Sequence, residues 1–506
     1  MGHVYRELPE VDISGEVFTS RVPLGPEGLL HGRLDNGLTY YVRQCSKPKA
    51  RAALALAVKV GSLVEDEPER GVAHILEHLA FNATQHYSNH DIVNFLESIG
   101  ASFGACQNAY TSADETVYTL MVPTADTALL DKSIAVLSEF AARIRCAPED
   151  LAKERGAVME ELRMSKDSGG RVAAAHWKLL LQGCRYENRL PIGLESVIKG
   201  VPAATIAAFY RRWYLPHRMA VVVVGDFPDP AAVLALIQQH LGPAFEEAAA
   251  AGLLQLQGGP EVPPVLPASW QHSEPRFCVF ADREAQDSAL FLSWKVPSRP
   301  TATPAQYLEV MKDILFQGCF NSRLYRISRA QDPLFFSASL ADESACAAVD
   351  MFVLGVVCED KKTLRALEAV LTELARVRLH GFSEREFNNA VKGMQADIET
   401  TYLEADQGYC TDIRDEYVRH FLGEEFVSGQ QYEARLNKTL LPLITVEDIN
   451  KRAAGLTHRH SAVFKSVEHK KWHNEAALRK VVERVAAAEA GGSMGPGRSP
   501  RCPTAS

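Results

Sequence analysis

The chain has 506 residues, of which 46% are hydrophobic and 23% are charged, and its formal net charge is -9. That length accommodates two or three domains with sizeable cores, and the composition is ordinary for a globular protein. The acidic balance argues against a nucleic-acid partner, which requires a basic patch, and no apolar run reaches the roughly 18 residues of a membrane span.

The N-terminus, MGHVYRELPEVDISGEVF, carries several acids and no apolar core. We therefore expect neither a secretory signal nor a transit peptide. The ten cysteines show no Cys-x-x-Cys pair and no regular spacing, which is typical of reduced thiols. Together these features predict a soluble intracellular protein, cytoplasmic by default, with a chloroplast or mitochondrion as the open alternative.

In chain order, residues 1–30 are polar and predict an N-terminal arm, and the block 31–244 mixes strand and helix patterns. Apolar runs predict strands at 38–43, 52–60, 110–122 and 220–224. Helical periodicity predicts helices at 71–84, 90–99, 127–144 and 148–165. This first block is therefore expected to be one α+β domain.

Residues 245–272 turn Ala-rich and then Gly- and Pro-rich, which predicts a linker. A second domain is expected over 273–470, followed by a C-terminal segment, 471–506, with a helix and a tail disordered from Glu489. The stretches 215–221 and 456–463 resemble each other, as do 146–162 and 381–398 in helical pattern. A repeat this long indicates two homologous domains rather than a solenoid.

The segment 71–84 contains the pattern His-x-x-Glu-His at His74, Glu77 and His78. On a helix, positions i, i+3 and i+4 share one face, so both imidazoles can reach one zinc ion. Zinc makes a water more acidic, and the Glu77 carboxylate can take its proton. The alternative is a solvated helix face that happens to carry two histidines and a glutamate. The apolar neighbours weaken that alternative, because unpaired polar groups near a buried face are costly.

A catalytic zinc site needs a third protein ligand and an open position. Glu154 and Glu161 are seven residues apart and share a helix face, whereas Glu160 lies about 100 degrees away. We assign Glu161 as the ligand and Glu154 as a carboxylate that tunes the site or orients the histidines. Most glutamates on such helices are solvated, so this helix alone is weak support.

The motifs GVAHILEHLAFNAT, QNAYTSADETVY, ERGAVMEELR and PIGLESV occur in this order. The chain resembles the pitrilysin/insulinase family of zinc peptidases, the inverzincins, and within it the N-terminal half of the PqqL-type zinc proteases. The resemblance is strong over residues 30–230 and weak over 270–465. It implies an α+β fold of two homologous α/β-roll domains, each a mainly antiparallel sheet flanked by helices.

The resemblance also implies roles for individual residues. His74, His78 and Glu161 match the ligands of one Zn²⁺ per chain, and Glu77 matches the general base. Glu154 matches the second acidic residue of the ligand helix and is counted with Glu77 as catalytic.

Asn108 and Ala109 match the segment with which family members hold the substrate backbone. An exposed strand edge can do this without special side chains, because an extended peptide adds to it as a further strand. An ordinary sheet edge is the equally plausible alternative when the resemblance is set aside.

The second domain departs from the family's zinc pattern. It has no His-x-x-Glu-His, and it carries Asp397 and Ala390 at the positions that match Glu161 and Glu154. We therefore expect no zinc there.

Family members also use an Arg and a Tyr seven residues apart to hold substrate. The matching stretch of the second domain offers Ser328 and Phe335, and Arg329 is one residue out of place.

We therefore expect a zinc metalloendopeptidase that hydrolyses peptides or unfolded proteins. Family members build four-domain chambers, so this two-domain chain is expected to need a second half or a homodimer partner. One alternative is a non-catalytic core subunit, although such relatives tend to lose the zinc motif that this chain keeps. Another is an organellar processing peptidase subunit, whose partner commonly carries a Gly-rich loop.

Overall fold

The computed structural model describes residues 8–495, except 89, 103, 264, 267–269 and 460. Six strands of the first block form one sheet, in the chain order β1 (Leu30–Arg33), β2 (Thr39–Gln44), β3 (Arg51–Val58), β4 (Gln107–Thr111), β5 (Thr116–Pro123) and β6 (Met219–Gly225). Their order across the sheet is β1-β2-β6-β3-β5-β4. β2 and β6 run parallel, and every other neighbouring pair runs antiparallel.

The centre of this sheet consists of strands without polar alternation. Every residue of β6 is buried, and β3 is buried from Ala52 onward. Continuous apolar strands of this kind indicate a sheet covered on both faces. The single strand predicted over 110–122 is instead a hairpin of β4 and β5. Its turn forms because the Ser112 hydroxyl accepts hydrogen bonds from the backbone N–H groups of Asp114 and Glu115.

Eight α-helices of the first block are described, and the last of them extends into the predicted linker. They are α1 (Val72–Asn82), α2 (Asp91–Ser98), α3 (Thr127–Ala142), α4 (Pro148–Met164), α5 (Ser168–Leu180), α6 (Glu195–Gly200), α7 (Ala203–Trp213) and α8 (Pro230–Ala250). α8 runs six residues into the predicted linker 245–272. Its alanines favour the helix, and Phe245 and Ala248 pack into the first core.

Five strands form the second sheet: β7 (Arg276–Ala281), β8 (Ser288–Pro297), β9 (Ser337–Cys346), β10 (Val349–Cys358) and β11 (Ala462–Glu468). Across the sheet they lie in the order β7-β11-β8-β10-β9, with β7 parallel to β11. This is the order of β2-β6-β3-β5-β4, so the second sheet repeats the arrangement of the first sheet without its edge strand β1. The α+β fold of two domains, each with a mainly antiparallel sheet flanked by helices, is thereby confirmed.

The helices of the second block follow the same plan. They are α9 (Pro304–Ser328), α10 (Thr363–His380), α11 (Glu384–Leu403), α12 (Cys410–Gly423), α13 (Gln430–Leu440), α14 (Val446–Arg452) and α15 (Glu475–Ala490). α9 follows the strand β8 as α1 follows β3. α10 and α11 follow β10 as α3 and α4 follow β5, so α1, α3 and α4 each have a counterpart in the second domain.

One helix of each domain packs on the sheet of the other domain. α12 of the second domain packs on β3 and β6, where Tyr417 stacks on Tyr41 with ring centroids 5.4 Å apart. α5 of the first domain packs on β7 and β11, and its Leu180 joins an interface cluster with Val349 and Val463. The exchange covers the outer faces of the central strands β6 and β11, in which every residue is buried.

The segments outside the two sheets also tie the domains together. The predicted arm packs on the second domain, where Val11 joins the core and the Val22 N–H donates to the carbonyl of Ala302. Most of the predicted disordered tail, residues 496–506, lies outside the described residues, and its start, Glu489, belongs to α15. Among the helices described, none is long and apolar enough to cross a membrane.

Lys465 provides a test of the interface between α5 and the second sheet. It is 5% exposed on the same face of β11 as Val463, and its Nζ lies 4.3 Å from the centre of the Phe291 ring. Burial lowers the pKa of its ammonium group from 10.5 to about 8. The unfolded chain therefore holds this proton more tightly, and the folded state gains stability as pH rises from about 8 to 10.5.

We expect Lys465→Met to be more stable than the wild type by about 1–3 kcal/mol at neutral pH, because burying an ammonium ion is costly. The gain should shrink as pH approaches 10.5, the pKa of the lysine in the unfolded chain. Urea denaturation at several pH values measures both effects. Lys392→Met, at an exposed position of α11, is the control. A destabilised Lys465→Met would contradict the assignment of an energetic cost to this lysine.

Candidate metal centre

The helix α1 begins at a backbone position that is fixed by a buried carboxylate. Glu65 is 0% exposed, and its two carboxylate oxygens accept the backbone N–H groups of Gly71 and Ala73, each at 2.9 Å. Burial raises the pKa of Glu65 to about 8, against the opposing effect of these two bonds. The bonds satisfy N–H groups that the first turn of a helix leaves without partners.

A close contact between two glycines fixes the same end of α1. Gly71 has a φ of 105° and Gly193 a φ of 76°, which only glycine adopts without strain. A Cβ on Gly193 would lie 2.4 Å from the Cα of Gly71. The PIGLESV motif therefore has a structural reason: its glycine allows the backbone to approach the start of α1.

The sides of α1 separate into an apolar and a polar face. Val72, Ile75, Leu76 and Leu79 are buried in the first core. His74, Glu77 and His78 lie on the other face, as the spacing predicted, with His74 buried and the other two half-buried.

The helix α4 packs against α1 and supplies the facing carboxylates. Leu151, Val158 and Leu162 bury its apolar face in the same core. Glu154 and Glu161 both face α1, whereas Glu160 pairs with Arg163 on the exposed side.

Three atoms from the predicted ligands come together between α1 and α4. Glu161 Oε2 lies 3.3 Å from Nε2 of His74 and 3.2 Å from Nε2 of His78. The donor atoms of these three residues all lie within 4.8 Å of one another. In the part of the chain that is described, no other set of three His, Cys, Asp or Glu residues gathers in this way.

The electrostatics of these groups are strongly coupled. Burial disfavours the charged form of His78, but the carboxylates of Glu154, Glu161 and Glu77 outweigh this and raise its pKa to about 9. Hydrogen bonds from His74 and His78 hold the pKa of Glu161 well below its usual range. Two imidazole nitrogens and an ionised carboxylate are a donor set suited to a divalent metal ion.

Glu154 lies behind His78 rather than beside the ligand atoms. Its Oε2 is 3.5 Å from His78 Nδ1, and its Oε1 accepts a 2.5 Å hydrogen bond from the Asn82 amide. Burial opposes ionisation, but the bonds from His78 and Asn82 lower the pKa of Glu154. A carboxylate on the second nitrogen of a histidine orients that ring for metal binding.

The strand β4 lies at the edge of the first sheet and contacts α1. Asn108 is exposed and Ala109 half-buried, and the Ala109 N–H donates to the Asn108 side-chain oxygen at 2.9 Å. Thr111, at the end of the strand, donates its hydroxyl to Glu77 Oε2 at 2.6 Å. The edge and the carboxylate of Glu77 are therefore neighbours.

Sequence reasoning missed three residues that contact this centre: Glu65, Asn82 and Thr111. Asn82 stands out only as part of a glycosylation sequon, yet it is 1% exposed and bonded to Glu154. Its spacing, eight residues after His74 and four after His78, would have placed it on the same helix face. Nothing local in the sequence marks Glu65 as the partner of the first turn.

The matching helices of the second domain, α9 and α11, border a groove whose described residues include no such donor set. Ala390 and Asp397 line it, as expected from their match to Glu154 and Glu161. Phe335, which the resemblance matches to a substrate-holding position, is 1% exposed and belongs to the second core. Ser328 donates its hydroxyl to the carbonyl of Tyr325.

Two family models match the chain. Residues 41–180 match the insulinase model of peptidase family M16, and residues 201–394 match the model described as the peptidase M16 inactive domain. The fold and the donor set define the class, that of proteins with an inverted His-x-x-Glu-His zinc motif. The chain belongs to the insulinase family, peptidase family M16.

Relatives carry zinc protease names. A zinc protease PQQL-like protein of Arabidopsis thaliana is 46% identical over 479 residues, which cover 95% of this chain and 46% of the relative. The probable zinc protease PqqL of Escherichia coli is 28% identical and covers 94% and 49%. The chain thus spans about half the length of these relatives.

A solved structure of the first half of the periplasmic protease PqqL from Escherichia coli superposes with a TM-score of 0.83 at 26% identity. The match covers 92% of this chain and 98% of that structure.

Substitution of Gly193 tests whether the glycine contact positions α1. Gly193→Ala should lose about 1–3 kcal/mol of stability, because a Cβ at this φ is strained and clashes with backbone. It should also weaken metal binding, since the start of α1 must move. Gly156→Ala, in α4 with open space around it, is the matched control and should gain roughly 0.5–1 kcal/mol.

Thermal unfolding and metal titration of both variants provide the measurements. Equal metal affinity in Gly193→Ala and Gly156→Ala would show that the contact does not position the ligands.

Proposed function

We propose that this chain is a zinc-dependent metalloendopeptidase in which Glu77 is the general base. One observation carries the proposal: single donor atoms of His74, His78 and Glu161 converge within 4.8 Å, on the helix face that also carries Glu77. The zinc protease names of the relatives support it.

The donor set fits zinc in chemistry and in spacing. Zinc bonds to imidazole nitrogen and carboxylate oxygen measure about 2.0–2.1 Å, which gives a tetrahedral edge of roughly 3.3 Å. The two Nε2–Oε2 separations, 3.3 and 3.2 Å, equal this edge closely. Three protein ligands leave one position open, which is the arrangement of catalytic rather than structural zinc.

A zinc ion held there would polarise the scissile carbonyl and make the attacking water more acidic. Glu77 accepts a proton from that water and delivers it to the leaving amine. Glu154 holds Nδ1 of His78, so that Nε2 faces the ligand cluster, and Asn82 holds Glu154. Glu154 thus acts through the histidine, and we assign it an orienting role.

The substrate in this proposal is a peptide or an unfolded protein that adds to the edge of β4 at Asn108 and Ala109. Backbone pairing suits many sequences, because it uses only main-chain groups. A carbonyl oxygen of the incoming strand replaces the Asn108 side-chain oxygen as the acceptor of the hydrogen bond from the Ala109 N–H. A second two-domain half, or a second copy of the chain, completes the chamber.

A partner-dependent or non-catalytic role is the second candidate. Two observations favour it: the chain spans about half of its relatives, and residues 201–394 match an inactive-domain model. In that case the chain binds zinc but cleaves slowly until its partner is present. A role as a processing peptidase subunit shares the same zinc chemistry.

Zinc binding is the first test of the proposal. We expect one zinc per chain after dialysis, and His78→Ala should retain almost none, because it loses a ligand. His380→Ala, an exposed histidine of the second domain, should retain one. Metal analysis by mass spectrometry measures the ratio; a full complement of zinc in His78→Ala would refute the assigned ligands.

The general base is tested separately from the metal. Glu77→Gln should keep one zinc per chain but lower peptide hydrolysis by about 10²–10⁴-fold, the usual contribution of acid–base catalysis. A quenched fluorescent peptide, with and without a chelator, gives the rate. If the Gln variant cleaves as fast as the wild type, Glu77 is not the base.

A further inference from the structure

We infer that Thr111 is a positioning residue that fixes the carboxylate of Glu77 in its working orientation. The inference rests on the proposed function. It adds a residue outside the motif helix and assigns the edge strand β4 a second task, that of orienting the base.

The contact between Thr111 and Glu77 has the length of a strong hydrogen bond. The Thr111 Oγ1 donates to Glu77 Oε2 at 2.6 Å. A hydroxyl bonded to an ionised carboxylate is typically about 2.5–2.7 Å away, and such bonds are roughly twice as strong as neutral ones. Among the described residues, Thr111 is the hydrogen-bond partner that Glu77 has, and it engages one of the two carboxylate oxygens.

Thr111 is itself held by the sheet. It pairs across the hairpin with Thr116, and their hydroxyl oxygens are 3.5 Å apart. Thr116 is 1% exposed and donates to the carbonyl of Val60 at 2.9 Å. The branched Cβ of a threonine also restricts its χ1. The donor to Glu77 is therefore fixed by two strands and not by a flexible side chain.

A hydrogen bond to one carboxylate oxygen suits a general base, because it orients the carboxylate and leaves the other oxygen able to accept a proton. The terminal torsion of a glutamate side chain is broad, so an unrestrained carboxylate turns freely. With Oε2 held by Thr111, Oε1 has no hydrogen-bond partner among the described residues and is available to accept a proton. A misplacement of about 1 Å in a catalytic group can cost on the order of 10²-fold in rate.

The position of Thr111 couples the base to the substrate. Ala109 and Thr111 are two residues apart on β4, so their side chains point to the same face. A peptide that pairs with the edge at Ala109 is thereby placed in register with the strand that orients Glu77. The same strand, β4, then positions both the substrate carbonyl and the carboxylate of Glu77. A base held only by its own helix would not be positioned relative to the substrate in this way.

The test compares Thr111→Val, which has the same shape without the hydroxyl, with Thr111→Ser, which keeps the hydroxyl. Zinc content should stay at one per chain in both. For Thr111→Val we expect kcat to fall by about 10- to 100-fold with KM unchanged, whereas Thr111→Ser should recover most of the rate. A merely structural role would affect both variants or change zinc content and KM.

A second readout is independent of activity. In crystal structures of the zinc-loaded chain, Glu77 should hold one conformation in the wild type and in Thr111→Ser, and should turn or become disordered in Thr111→Val. Glu77 unmoved in Thr111→Val, or kcat within about threefold of the wild type where the wild type cleaves, would overturn the inference. A zinc-loaded wild type that cleaves nothing, alone or with its partner half, counts against the proposed function, while the crystal comparison still decides the role of Thr111.

Discussion

The packing of α1 against α4 is the constraint on which the rest of the site depends. The two helices are joined through their apolar faces in one core, and this contact brings Nε2 of His74 and of His78 to within 3.3 Å of Glu161 Oε2. Neither helix contains the site alone. Glu65 and the Gly71–Gly193 contact fix the position at which α1 begins. The distances between the donor atoms therefore depend on the position of this helix as well as on the side chains of the ligands.

The two domains share a scaffold but not its chemistry. Five strands of the first sheet have the order of the second sheet, and each domain places a helix pair at the same point. Among the described residues, only the pair α1 and α4 carries a donor set. In the second domain the positions of the carboxylates are Ala390 and Asp397, and the facing helix α9 contributes no such pair of histidines. The exchange of α5 and α12 joins the two domains, because each of these helices packs on the sheet of the other domain.

Helical periodicity predicted most of the centre from the sequence. The spacings of His74, Glu77 and His78, and of Glu154 and Glu161, placed each set on one face because a helix repeats every 3.6 residues. The contacts that link elements distant in sequence were not predictable in this way. Thr111 contacts Glu77 only because the edge strand β4 lies beside α1. The sequence pattern predicted one strand over 110–122 and did not indicate the hairpin of β4 and β5. Likewise, the polar arm was expected only to lead into the first strand, but Val11 packs into the second core.

The proposed chemistry depends on a single zinc ion that His74, His78 and Glu161 hold together. Anomalous X-ray scattering at the zinc edge, from crystals of the zinc-loaded chain, tests this most directly. We expect one strong anomalous peak between Nε2 of His74, Nε2 of His78 and Oε2 of Glu161. Absence of a peak at that point, or a stronger peak elsewhere in the chain, would contradict it.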